Sequence, residues 1–167
     1  MSQQFTTHFA SLSNFERGSI EVIKGDAKHY AFSNVFDVAS RSAPYEKAVV
    51  AKNLEYVIEA LRAEGQSEWF AAAHDEFAVV LDGYVEVELV KLDQPDAVVP
   101  AAKEGTVKAG ANPAGRRMGA IYLKRGHQAL LPSGAAYRFK TTQPGVIMLQ
   151  TIRGELSVEK WGEICIK

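Results

Sequence analysis

One stretch constrains this chain more than any other: Gly126-His127-Gln128-Ala129-Leu130-Leu131-Pro132-Ser133-Gly134-Ala135-Ala136-Tyr137. A glycine turn leads through five residues into a Pro-x-Gly turn, and Tyr137 follows three places later. Such close spacing leaves room only for short strands joined by tight turns. A second unit of the same kind lies upstream, where Glu76 and Gly83 are separated by six residues and Asp82-Gly83 sits between apolar runs as a hairpin signal. Clear alternation in Tyr84-Val85-Glu86-Val87-Glu88-Leu89 gives a strand with one buried face. Together these units predict an all-β sandwich or barrel.

The two units, in this order, resemble the paired motifs of the cupins, which are jelly-roll barrels. That resemblance implies four ligand positions in a metal-binding member, a His-x-His pair before the glutamate and a histidine at the end of the second motif. In this chain those positions hold Phe70, Ala72, Glu76 and Tyr137. Phenylalanine and alanine have no donor atom, and a phenol must lose a proton of pKa near ~10 to become a good ligand. Mononuclear oxygenase iron usually takes two imidazoles and a carboxylate. The expectation is a retained barrel with no metal site, in which Glu76 and Tyr137 satisfy one another by a hydrogen bond. A non-standard site built on His74 and Glu76, which share a face if both lie on one strand, is the competing reading. A hydrogen-bonded histidine at a strand edge is the plainer one. His127, just after a turn glycine, belongs at the barrel rim.

A chain of 167 residues, 47% of them hydrophobic, can bury one sizeable core. A formal net charge of −1 without a dense basic run offers nucleic acid no electrostatic footprint. No apolar run reaches the roughly 18 residues of a membrane span. The start, Met1-Ser2-Gln3-Gln4-Phe5-Thr6-Thr7-His8, does not read as a signal peptide. Cys165 is the only cysteine, flanked by Ile164 and Ile166, which suits a structural residue in a reducing, cytoplasmic setting.

Residues 1–44 read as an N-terminal arm and packing segment, and residues 45–167 as a single cupin domain without internal repeat. Within the arm, 19–23 is a strand candidate, and the apolar run 29–40 includes a helical turn before Pro44. Tyr30, Phe32 and Phe36 are candidates for a subunit-facing patch. Residues 45–52 read as a strand. Residues 53–65 are in conflict: Asn53 resembles an N-cap, Leu54, Val57, Ile58 and Leu61 fall at helical spacing, and Gly65 resembles a stop. A barrel needs a strand here, and strand is the expectation. Residues 93–119, rich in proline and glycine, read as a long loop with a basic end at Arg116-Arg117. Further strands are expected at 121–123, 128–131, 137–140, 146–152 and 156–161. Trp69 is expected near the barrel mouth, either as core or lining a pocket for a planar aromatic ring.

The segments HYAFSNVFDVAS, YEKAVVAKNLEYVIEALRAEG, HDEFAVVLDG, RGHQALLPSGAAYRF and QTIRGELSVEKWGEIC resemble the small subunit of the two-component bacterial hydroquinone 1,2-dioxygenases. The resemblance implies a metal-free accessory subunit paired with a larger cupin subunit in an α2β2 heterotetramer. It implies that Fe(II) is held by that partner, and that hydroquinone is opened to 4-hydroxymuconic semialdehyde. No iron ligand and no catalytic residue carries over onto this chain. Two alternatives stand beside it: a stand-alone metal-free cupin of the sugar epimerase or isomerase type, and a non-catalytic small-molecule-binding cupin. The lack of a recognisable acid/base pair counts against the former.

Overall fold

A computed structural model of the chain describes residues 10–18, 23–24 and 33–160. A short helix α1 (Val35–Arg41) is followed by β1 (Lys47–Asn53), β2 (Tyr56–Ala63), β3 (Phe70–Ala72), β4 (Glu76–Asp82) and β5 (Tyr84–Leu92). A single turn of helix, α2 (Pro95–Val98), then leads to β6 (Thr106–Lys108), β7 (Gly115–Lys124), β8 (Gln128–Leu131), β9 (Ala135–Lys140), β10 (Gly145–Ile152) and β11 (Ser157–Val158). The strands form two sheets, in the orders β11-β1-β2-β10-β4-β8 and β6-β3-β9-β5-β7. This is the all-β, cupin-type jelly roll that the motif pair predicts. Among the described residues no helix is long and apolar enough to cross a membrane.

Alternation places the core. Val57, Leu61 and Ala63 of β2, Ala78 and Val80 of β4, Ile147 and Leu149 of β10, Val85 and Val87 of β5 and Phe139 of β9 are buried between the sheets. Tyr45 stacks on Phe139 with ring centroids 6.2 Å apart and closes one side of the core. Both motif turns need a left-handed residue, and Gly83 at φ +84 and Gly134 at φ +74 supply it.

Within the disputed segment 53–65, Tyr56–Ala63 is a strand, β2. β2 lies between β1 and β10, pairing with β10 along its whole length and with β1 from Tyr56 to Ala60. Two ladders of backbone hydrogen bonds outweigh a helical propensity worth tenths of a kcal/mol per residue. The apparent N-cap Asn53 ends β1, and Leu54, at φ 56, makes the turn. The true helix is α1, capped by the Asn34 side chain, which accepts from the Phe36 and Asp37 N–H groups.

The reading of 93–119 as one loop is corrected. β6 pairs with β3, and β7 begins at Gly115 and runs along β5 from Leu92 to Tyr84. The signal was weak because β6 is three residues long and β7 is an edge strand whose only buried residue is Leu123. Of the strand expected at 156–161, the described residues 156–160 hold Ser157–Val158, parallel to β1, and Trp161 lies outside them. The expected strand at 19–23 lies outside the described residues except for Ile23, which is exposed within a bend. His8, His29, Tyr30, Phe32 and Cys165 also lie outside them, while Phe36 stacks on Phe15 at 6.2 Å.

Candidate functional site

The four positions singled out by the motifs meet inside the barrel. Antiparallel pairing of β3 with β9 sets Phe70 opposite Tyr137, with ring centroids 6.0 Å apart. Pairing of β3 with β6 sets Ala72 opposite Thr106. Glu76 opens β4 with its side chain fully buried, and Tyr137 is equally enclosed. The Tyr137 hydroxyl donates to Glu76 Oε2 at 2.7 Å, and Thr106 Oγ1 donates to Oε1 at 2.6 Å. Burial first, then the Glu76 charge and its hydrogen bond, push the Tyr137 phenol well above its ordinary value. The phenol stays protonated and donating, and both carboxylate oxygens are taken. Thr106 was not foreseen, because it lies within the stretch read as loop.

A second polar group occupies the same interior and was also missed. Lys47 and Glu59 face each other from β1 and β2, with Nζ 3.5 Å from Oε2 and both side chains almost wholly buried. Neither of those two atoms makes a hydrogen bond. Ser157 Oγ donates to the other oxygen, Oε1, at 2.7 Å. The ammonium also sits 4.9 Å from the centre of the Phe70 ring. Burial raises the Glu59 pKa against the lowering by Lys47 and Ser157, and the Glu76 charge adds to the rise. The signal was present in the sequence: on a strand, Val57, Glu59, Leu61 and Ala63 share one face, so a buried β2 had to carry Glu59 inward.

His74 does not turn toward Glu76. Its Nε2 accepts the Ile152 N–H at 3.1 Å and lies 2.9 Å from Thr151 Oγ1. Among the described residues no group of three or more His, Cys, Asp and Glu could hold a metal ion. His127 is at the turn before β8, its Nδ1 accepting the Lys124 N–H at 3.3 Å. Trp69 faces away from the barrel interior, in a cluster with Ala71, Leu92, Val99 and Ala136. The Arg138 guanidinium lies 4.5 Å from its ring centre and is held there by Glu88 at 2.5 Å, which also pairs with Lys140 at 2.9 Å. Burial opposes ionisation of Glu88, but the bonds from Lys140 and Arg138 outweigh it and lower its pKa. Arg116 and Arg117 are exposed on β7, opposite Lys91 and Val90.

A cavity of about 300 Å³ opens at the seam where β1 and β11 approach β3, lined among others by Tyr45, Lys47, Ser67, Phe70 and Leu156. Its volume would take a single aromatic ring. Among the described residues, each interior oxygen of Glu59 and Glu76 except Glu59 Oε2 is already hydrogen-bonded.

The chain matches no protein-family model and no curated protein. Among solved structures it is 60% identical, over the whole of both chains and with a TM-score of 0.93, to a chain of hydroquinone 1,2-dioxygenase PnpCD in complex with Cd2+ and 4-hydroxybenzonitrile. It is 52% identical to a chain of hydroquinone 1,2-dioxygenase from Sphingomonas sp. TTNP3 with 4-hydroxybenzoate bound, covering 98% of this chain and 99% of that one with a TM-score of 0.95. At 11% identity and a TM-score of 0.62 it also shares its fold with 38% of a longer chain, from hydroquinone 1,2-dioxygenase PnpCD in complex with Fe3+.

Proposed function

This chain belongs to the cupin-fold subunits of the hydroquinone 1,2-dioxygenases, and from that premise we propose that it is the small, metal-free member of a two-chain enzyme. The larger member carries the Fe(II) and pairs with it as an α2β2 heterotetramer. Insertion of O2 into hydroquinone is the chemistry that iron supplies, with 4-hydroxymuconic semialdehyde as the product. The observation that carries the assignment is the state of Glu76. Its two oxygens are bound by Thr106 and Tyr137, and Phe70 and Ala72 offer no donor. An iron placed there would find one usable ligand, so the residues of this barrel do not fit the metal, and no step runs through it.

The role of the chain is then to stabilise the catalytic partner and shape the neighbouring pocket for an aromatic substrate. Trp69, fixed by Arg138, is the residue we assign to that pocket, which the larger subunit completes. Residues 1–44 act as the packing arm and 45–167 as the cupin domain. Lone Cys165 supports a cytoplasmic setting.

Co-expression with the larger chain tests the assignment. Glu76→Gln should leave iron content and turnover of the complex within about twofold, whereas Trp69→Ala should raise KM at unchanged iron content. Stoichiometric iron in the lone chain, abolished by Glu76→Gln, would overturn it.

A further inference from the structure

The cavity of about 300 Å³ at the seam of β1, β3 and β11 has a rim and an enclosed wall of different chemistry. At the rim the charges are paired, Glu68 with Lys108 at 2.7 Å and Glu46 with Lys160 at 2.6 Å. The enclosed wall includes Tyr45, Phe70 and Lys47, each less than a tenth exposed. Tyr45 is fixed in place: its ring stacks on Phe139, its hydroxyl donates to the Gly65 carbonyl at 2.8 Å, and its backbone stands at φ 57. A residue with a Cβ holds that left-handed conformation only where its surroundings impose it, and such strain gathers at ligand sites. Lys47 carries an unmet need. Its ammonium, 4.9 Å from the Phe70 ring centre and 3.5 Å from Glu59 Oε2, makes no hydrogen bond, and neither does that oxygen. Two enclosed charged groups with unused hydrogen-bonding capacity call for an explanation. A hydroxyl meets both needs at once, because it accepts from the amine and donates to the carboxylate.

We propose that this cavity binds a neutral monocyclic phenol, its ring against Tyr45 and Phe70 and its hydroxyl turned to Lys47 Nζ and Glu59 Oε2. The volume takes one ring, and the two aromatic walls offer it π faces to pack on. Lys47 has a flexible four-carbon stem, so its ammonium can turn toward the cavity without any movement of the backbone of β1. A carboxylate ligand is disfavoured. The ammonium already faces one carboxylate, so the pair presents no net positive charge to offset the burial of an anion. A ring without a hydroxyl is disfavoured for a different reason, since it leaves both polar atoms unsatisfied. The site is built from this chain alone and needs neither the iron nor the larger subunit of the two-chain reading.

Titration calorimetry of the full chain at neutral pH, with phenol, toluene and benzoate as probes, tests the site. Phenol should bind saturably, one molecule per chain, and about 10-fold or more tighter than toluene, which matches it in size and lacks the hydroxyl. Benzoate should bind more weakly than phenol. Lys47→Met with Glu59→Leu removes the polar end and should bring phenol down to the affinity of toluene. Leu156→Trp, which fills the cavity from its wall, should abolish binding of both. Should either variant fail to fold, 4-bromophenol soaked into crystals of the wild-type chain locates the ring by its anomalous bromine signal: beside Phe70 supports the site, elsewhere overturns it. Absence of saturable phenol binding, equal affinity for phenol and toluene, or a preference for phenol that survives the double variant would each overturn the proposal and leave the two-chain reading untouched. Benzoate binding as tightly as phenol would assign the cavity to anions and overturn it too.

Discussion

Glu76 is a buried carboxylate whose two donors are neutral hydroxyls, and each donor has a measurable effect. Tyr137→Phe strips Oε2 of its only donor, and leaving such a group unsatisfied costs about 1–3 kcal/mol. Chemical denaturation of wild type and variant at neutral pH should show that difference. The pH dependence is a separate check. The folded phenol titrates above its unfolded value, so its contribution is complete below pH ~10 and is lost as pH rises toward the folded value. Wild type should therefore weaken on an alkaline limb that the phenylalanine variant lacks. Lys47 and Glu59 obey the rule for buried ion pairs. Lys47→Met should cost about 3–5 kcal/mol at neutral pH by stranding the Glu59 carboxylate, and Lys47→Met with Glu59→Leu should recover most or all of it. Because the Glu59 pKa is raised by folding, the folded protein holds that proton to higher pH than the unfolded chain. Stability from this group is full below the ordinary carboxylate range and falls as pH rises through the folded value, a slope the double variant should remove.

Among the elements, β2 shows how pairing decides between local alternatives. Its residues fit a helix by spacing, yet only the extended form offers backbone groups to both β1 and β10. The turn before it bears the strain of a leucine in the left-handed region, which costs a residue with a Cβ about 1–2 kcal/mol. Leu54 is 86% exposed, so little packing would be lost with its side chain. Leu54→Gly should accordingly raise the stability of the lone chain by a few tenths to about 1 kcal/mol, read as an increase in Tm. An unchanged or lower Tm would mean that the exposed leucine packs better than its burial implies. β6 and β7 were illegible for the opposite reason. Thr106 is the one fully enclosed position of β6, and an edge strand like β7 needs no apolar alternation to form.

As a whole molecule the chain buries a continuous core between its sheets. A partner that binds only the folded form raises stability by mass action, about 2.7 kcal/mol when it is present at 100 times its Kd. Adding the larger subunit should raise the Tm of this chain in a concentration-dependent way, read from thermal scans at several partner concentrations.

The sequence alone determined the two motif turns, the alternating strands between them and the absence of imidazole from the ligand positions, because turn chemistry and side-chain type are local properties. It also showed that Glu76 and Tyr137 would each need a partner if enclosed, a need that a bond between them could meet. Tertiary structure decided the rest. The strand state of 56–63, the inward pair Lys47 and Glu59, the donor Thr106 and the outward direction of Trp69 all depend on which strands become neighbours. Sequence distance does not encode that pairing, since β1 lies beside β11 and β4 beside β8 although long stretches of chain separate them.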